Sequence, residues 1–393
     1  MKVILVSQFY KPEMGAPQNR LMEMVLGLKK RGADLSVVTA LPNYPEGKIF
    51  PAYRKKLWIT EILDDILVKR FSLFASNSRK KLPRIFSMLS FSISVLFSIP
   101  FCIRQKPDII IVESPPLTLA FSALVISKIC GAKLVVNVSD LWPLSALELK
   151  VISKGKLYRF LEWCEKFIYK RADACLGQSQ EIVDYISERK HKKLMLFRNG
   201  VDMRRFSNNY SNNKPNGNTK KLVYAGLLGV AQGINQICRE IDFSNLGVEF
   251  CVYGAGPEKE SIIEYLKAHT DKGIKYMGSV KREQIPETLA LYDAALIPLV
   301  SNIYGAVPSK IYEAMASGLP ILFSGEGEGA RIIRDNKIGW VSPSRDIAML
   351  EKNINELNNA DCGEISKRCI QLAETSFNRN KQIDKLYDFL RHI

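Results

Sequence analysis

Short apolar runs alternate with helical patterns from the first residues onward. Residues 2–7, 34–39, 109–112, 133–138 and 174–177 are largely apolar over four to six positions and predict buried strands. Between them, residues 19–31 and 116–130 carry apolar side chains at helical spacing. Such alternation predicts an α/β domain, a parallel sheet covered by helices. Residues 207–220 (SNNYSNNKPNGNTK) interrupt the pattern, being almost wholly polar, and predict a linker. A second alternating set opens at residue 221 and continues through 249–254, 274–277, 294–298 and 320–323. In the tail, 375–393, Phe377, Ile383, Leu386, Phe389 and Leu390 return at near-helical spacing. These breaks predict a first domain over 1–206, a linker over 207–220, a second domain over 221–374 and a terminal helix over 375–393.

A length of 393 residues suits two such domains. The eight cysteines form no CxxC pair and most lie in apolar runs, which favours reduced, buried thiols over disulfides or zinc. His191, His269 and His392 are scattered in polar contexts, so no histidine metal site is expected. Residues 1–7 already read as a strand with no secretory signal before it, and a cytoplasmic location is expected. Charge changes the picture more. Residues 1–206 hold 34 Lys+Arg against 18 Asp+Glu, whereas residues 207–393 hold 22 of each. A basic first half beside a neutral second half predicts that one domain meets an anionic surface, either nucleic acid or a membrane leaflet.

Residues 85–103 (IFSMLSFSISVLFSIPFCI) bear on that choice. They carry no charge over 19 positions, with Lys80, Lys81, Arg84, Arg104 and Lys106 on the flanks. As one helix the run would be about 28 Å long, near the thickness of a hydrocarbon core. Ser87, Ser90, Ser94 and Ser98 would form a stripe on one face, able to pack on protein while apolar residues face lipid. Three readings stand: an interfacial helix, an ordinary buried helix and a span. A span would strand residues 109–112 across the bilayer, so the interfacial reading is preferred. Its candidate membrane contacts are Arg84, Phe86, Leu89, Leu96, Phe97 and Phe101.

The densest chemistry lies in residues 305–320 (GAVPSKIYEAMASGLP), after the apolar run 294–300. Pro308 suits a first helical position. Ser309 and Lys310 then fall at a helix N-terminus, where free amides and the dipole favour an anion. Glu313 lies three and four residues on, so all three share a face. A hydroxyl, a cation and a carboxylate there can hold a phosphate and a sugar diol, although a plain helix start with surface charges gives the same letters. Gly318 and Pro320 end the helix.

The segment resembles the donor-nucleotide signature of retaining glycosyltransferases of family 4. That resemblance implies the GT-B fold: two doubly wound Rossmann-like domains facing a cleft, with a C-terminal helix crossing back. It implies that Glu313 binds the nucleotide ribose. Gly305 stands where the family pattern has an earlier Glu. The Pro-Ser-Lys version resembles a subgroup acting on deoxy-amino sugars such as N-acetyl-L-fucosamine in O-antigen and capsule assembly.

Ligands of open α/β sheets bind beyond the carboxyl ends of the strands, so the loops there are the other candidates. Residues 8–20 hold Gly15, Ala16 and Asn19, where the family places a small-residue loop near the donor phosphates; a helix-opening loop is the alternative. Residues 42–48 resemble the Pro-Asn-Tyr-Pro segment of the same subgroup and are a weak acceptor candidate. In residues 137–143 Ser139 replaces a family His while Asp140 remains, either as an acidic group near the reacting carbon or as an N-cap. Asn199-Gly200 reads as a tight turn with positive φ, and Arg198 by analogy faces the cleft as a phosphate ligand. Gly226, Gly229 and Gln232 follow the first strand of the second domain, and their amides suit a diphosphate. Leu228 and Gln232 stand where many members carry Arg and Lys. Gly254 opens the loop expected to meet the base, and Glu328, after the last strand, the donor sugar.

Taken together, the resemblance implies a glycosyltransferase moving an N-acetylated deoxy-amino sugar from a UDP-sugar to a polyprenyl-diphosphate-linked saccharide. Asp140 and Lys310 are its expected catalytic residues. No metal or other cofactor is expected, and no Asp-x-Asp motif occurs. The enzyme would be peripheral on the cytoplasmic face of the plasma membrane, with no nucleic-acid partner. Two rivals remain: a UDP-sugar epimerase of the same fold, and a nucleic-acid-binding protein. The uncharged run argues against both.

Overall fold

The computed structural model describes residues 1–76, 81–189, 193–206 and 219–393, without the side chains of Ala16, Lys81, Leu82 and Arg84. All but the last two residues of the expected linker therefore lie outside the described residues. Two compact units result, one formed by residues 1–198 with 382–393 and the other by 199–381.

The first unit runs β1 (Lys2–Ser7), α1 (Ala16–Lys30), β2 (Asp34–Ala40), β3 (Trp58–Leu63), β4 (Ile66–Phe71), α2 (Lys81–Ser94), α3 (Ile99–Gln105), β5 (Ile109–Ser114), α4 (Leu117–Cys130), β6 (Lys133–Val138), α5 (Leu144–Glu148), α6 (Lys156–Arg171), β7 (Ala174–Gly177), α7 (Gln180–Glu188) and β8 (Leu194–Leu196). The sheet order is β3-β4-β2-β1-β5-β6-β7-β8. All pairings are parallel except β3–β4. β5 is buried at all six positions, as a strand covered on both faces must be. The step from β1 to β2 runs one way along the sheet and that from β5 to β6 the other. Right-handed crossovers therefore put α1 and α4 on opposite faces. On the α4 face, α2, α3 and α6 pack beside α4.

Two details differ from the sequence-based expectation. α1 starts at Ala16, three residues before the expected 19, because Pro17 fits the first turn of a helix. Residues 85–103 are not one α-helix: a 3₁₀ turn over Val95–Ser98 separates α2 from α3. The serine stripe does face protein. Ser94 Oγ donates to Ser72 O (2.6 Å), Ser90 Oγ accepts from the Phe74 N–H (2.8 Å), and Ser87 and Ser98 are buried.

The second unit runs β9 (Lys220–Ala225), α8 (Ile234–Glu240), β10 (Val248–Tyr253), α9 (Lys259–Ala268), β11 (Ile274–Tyr276), α10 (Ile285–Leu289), β12 (Ala294–Pro298), α11 (Ser309–Ala316), β13 (Ile321–Ser324), α12 (Gly327–Asp335), β14 (Gly339–Ser342), α13 (Ile347–Asn359) and α14 (Cys362–Thr375). Its sheet is wholly parallel, in the order β11-β10-β9-β12-β13-β14. The order reverses between β9 and β12, the topological switch point at which doubly wound sheets bind ligands.

A last helix, α15 (Arg379–Arg391), carries the chain from the second unit into the first. Ile383, Leu386 and Leu390 enter the first unit's core with Leu21, Met24 and Leu28 of α1. Gly27 makes room: a Cβ there would lie 2.4 Å from Ile383 Cδ1. Arg31 Nε pairs with Asp384 at 2.6 Å.

Candidate active site

In the second unit, Lys310 is the centre of the arrangement. Pro308 is the N-cap of α11, one residue earlier than expected, because its ψ of 127° is extended. Ser309 is thus the first helical residue; it is exposed and makes no capping bond. Lys310 folds back over the loop after β9. Its Nζ lies 5.0 Å from the centroid of the Tyr224 ring, a cation–π contact. Tyr224 is fixed in turn by its hydroxyl, which donates to Leu227 O at 2.5 Å. The space Lys310 uses exists because residue 226 lacks a side chain: a Cβ there would meet Lys310 Cε at 2.1 Å. Burial pulls the Lys310 pKa below the ordinary lysine value, and Glu313 acts in the opposite direction.

Glu313 is half-buried and lines, with Lys310, a small cleft whose walls include Val223, Ala225, Leu289 and Ile297. The free space inside it is only ≈ 20 Å³, about one water. A cation and a carboxylate thus stand together beside an apolar wall.

Glycine loops frame this corner. The Gly226 N–H donates to Tyr253 O (3.0 Å), Leu228 N–H to Ala255 O (2.9 Å), and Gly254 N–H to Gly278 O (2.8 Å). Gly254 has φ +153°, and a Cβ there would fall 1.9 Å from Gly226 O. The loops after β9, β10 and β11 therefore interlock through backbone at van der Waals contact. Gly229 sits in the same β9 loop, and Gln232 N–H closes the turn onto Gly229 O (3.0 Å). The Gln232 side-chain oxygen is buried without a hydrogen-bond partner. Glu328 is buried in the first turn of α12, whose Gly329 lies against Ile311 of α11.

The first-unit candidates are positioned separately. Gly15 is the N-cap of α1, its carbonyl accepting from the Asn19 N–H at 3.0 Å. The Ala16 side chain lies outside the described residues. Arg198 ends the unit and is half-buried. Gly200 does not have the positive φ of a tight turn; a Cβ there would strike Phe377 O at 2.3 Å, and this close approach selects the glycine.

Asp140 follows β6. It is not an N-cap, since α5 begins after Pro143; its carboxylate instead accepts from Ser145 Oγ at 3.0 Å. Burial raises its pKa, against the opposing Ser145 hydroxyl and Leu141 N–H. A carboxyl whose folded value is raised favours folding fully below its unfolded value, and that contribution is lost as pH rises through the folded value. Asp140→Asn is therefore expected to raise the melting temperature at pH 7 by on the order of 2 °C, with the gain shrinking near pH 4. Thermal melts at the two pH values check it.

Sequence reasoning missed two features here. Glu13 is buried and accepts the backbone N–H groups of Asn43 (2.7 Å) and Tyr44 (2.9 Å), tying the loop after β1 to that after β2. Arg20 donates to Glu113 and to Gln178 Oε1 (3.2 Å), and Asn137 Nδ2 donates to Glu113 Oε2 (2.5 Å). This buried network sits at the carboxyl ends of β5, β6 and β7. Its one sequence signal is a lone arginine on the apolar face of α1.

Of the expected membrane contacts, Phe86 (60% exposed), Phe97 (73%) and Leu89 face outward. Leu96 and Phe101 are half-buried, and the Arg84 side chain lies outside the described residues. Residues 85–105 are long and apolar enough to cross a membrane by length and composition, and one third of that stretch is buried in the protein.

Comparison with known proteins agrees with this architecture. Residues 15–200 match the glycosyl transferase 4-like domain, and residues 219–359 match glycosyl transferases group 1. The chain is a group 1, family 4-like glycosyltransferase. WbjE of Pseudomonas aeruginosa, assigned as a glycosyltransferase, is 26% identical over 69% of this chain and 71% of its own. WcaI of Escherichia coli K12, assigned as a colanic acid biosynthesis glycosyl transferase, is 24% identical over 81% and 82%. HepE of Anabaena, solved in complex with UDP, shares the fold at a TM-score of 0.72, with 14% identity over all of both chains.

Proposed function

We propose that this glycosyltransferase moves an N-acetylated deoxy-amino sugar, of the N-acetyl-L-fucosamine kind, from a UDP-sugar to a polyprenyl-diphosphate-linked saccharide. The product would feed capsule or O-antigen assembly, a setting supported by the assignment of WcaI. The observation that carries the reading is the pairing of Lys310, seated on Gly226, with Glu313 in one cleft at the switch point of the second sheet. Glu313 would accept the ribose hydroxyls. Lys310 and the free amides at the start of α11 would take up the charge that develops on the leaving diphosphate. The presence of UDP in HepE supports UDP as the nucleotide. Asp140 would stand near the reacting carbon or acceptor hydroxyl, and retention of configuration would follow the family. The metal-independent reading assigns charge neutralisation to Lys310.

The enzyme would work on the cytoplasmic face of the plasma membrane, attached peripherally through residues 85–103. The outward side chains of α2 and the basic first half of the chain support this, since each cation near an anionic leaflet contributes about 1 kcal/mol. Calorimetric titration with UDP tests the donor half. Glu313→Ala is expected to weaken UDP binding about 100-fold, because two charge-assisted bonds are lost. Unchanged affinity would remove Glu313 from the site.

A further inference from the structure

The apolar outer surface of the first unit does not stop at α2. Helix α6 buries Tyr158, Cys164, Ile168 and Tyr169 inward, as an amphipathic helix should. Its other side is not the usual polar face. Leu157 (58% exposed), Phe160 (57%) and Trp163 (58%) stand outward on successive turns. Around them Lys156, Arg159, Lys166, Lys170 and Arg171 are also exposed, and no acidic residue of α6 is. Glu162 is half-buried and lies 3.3 Å from Lys166 and 3.8 Å from Arg189. The exposed rings are held in place. Phe160 stacks on Trp163 at 6.2 Å, Trp163 packs on Phe167 at 5.7 Å, and Phe167 stacks on Phe121 of α4 at 5.8 Å. Helix α4 in turn exposes Val125 and Ile129, and it packs against α2. An apolar track thus runs over α6, α4 and α2 on one side of the sheet.

We infer that α6 is a second membrane-docking helix, seated in the interface of an anionic leaflet beside α2. Ordered aromatic and aliphatic side chains ringed by cations, without exposed acids, match the headgroup boundary, where rings enter the acyl edge and ammonium and guanidinium groups meet phosphate. Charge decides against a second copy of the chain, because juxtaposing two such faces brings ten cations of α6 together with no exposed acid of α6 between them. Two helices spread across the sheet fix the first unit's orientation on the bilayer, which one helix alone would leave free to roll. The proposal rests on the membrane association proposed above and adds α6 to it.

The test is flotation of the full chain with vesicles of phosphatidylcholine and phosphatidylglycerol (3:1), with brominated lipid as quencher. The wild type is expected to float, and Leu157→Ser/Phe160→Ser/Trp163→Ser to partition about 100-fold less, as three large apolar side chains leave the interface. Circular dichroism reports that the variant is folded. Brominated lipid is expected to quench wild-type fluorescence by a component absent from Trp163→Phe, a conservative variant that keeps the test valid if the triple change misfolds. A wild type that floats while the triple variant floats equally, with Trp163 unquenched, overturns the role of α6 and leaves the membrane reading standing. A wild type that does not float overturns both. A dimer abolished by the triple variant, with no vesicle binding, assigns the face to a second copy and overturns the proposal.

Discussion

Lys310→Ala is expected to lower the transfer rate about 10³-fold, the scale of removing one preorganised group that meets developing charge. The same change should not cost stability. Burial lowers the Lys310 pKa, so the folded state binds its proton less tightly than the unfolded chain does. For a cation the sign is then fixed: below the folded value the charge is a standing cost to folding, relieved only as pH rises towards the unfolded value. Wherever the ammonium is charged that cost is present, and alanine removes it. A melting temperature held or raised, beside a collapse in rate, separates a catalytic role from a structural one. Lys310→Arg should not rescue the rate, since the planar guanidinium is larger than the ammonium that now rests on Gly226.

Gly226→Ala tests the geometry instead of the charge. The added methyl would sit 2.1 Å from Lys310 Cε and 2.4 Å from Nζ, so something has to move. The backbone needs no positive φ at this position, and the end of a lysine side chain is the softest neighbour. The ammonium is therefore expected to shift by about 1 Å while the fold is kept, and misplacement on that scale costs about 10²-fold in rate. Gly254→Ala is the contrast. There the methyl meets Gly226 O at 1.9 Å, and φ is +153°. No side chain can give way, so the expected result is loss of folding of the second unit, on the order of 3 kcal/mol or more. Circular dichroism and initial rates on the two variants separate the outcomes.

Most strands were legible because parallel strands are buried on both faces and read as continuous apolar runs, as in residues 109–112 and 294–298. The β3–β4 hairpin was not. β3 is never fully buried, and its turn uses Asp64 and Asp65 at φ of 51° and 55° instead of a glycine. Lys310 and Glu313 were legible because a helix start imposes a local spacing. Glu13, Arg20 and Glu113 were not, since their partners lie 30 to 158 residues away and no local period marks them. The outer face of α6 was hidden for a different reason. Apolar residues on both sides of a helix blur its period, and only the packing of Tyr158 and Ile168 inward shows that Phe160 and Trp163 are left over.

The account rests on sugar transfer from a nucleotide to a lipid-linked acceptor, and the direct measurement is UDP release in EDTA from a panel of UDP-sugars that includes UDP-N-acetyl-L-fucosamine. The assay is run with and without a polyprenyl-diphosphate saccharide. Release that needs the acceptor and disappears in Lys310→Ala is the result expected here. Epimerised donor formed without acceptor, or no UDP-sugar bound at all, would contradict it.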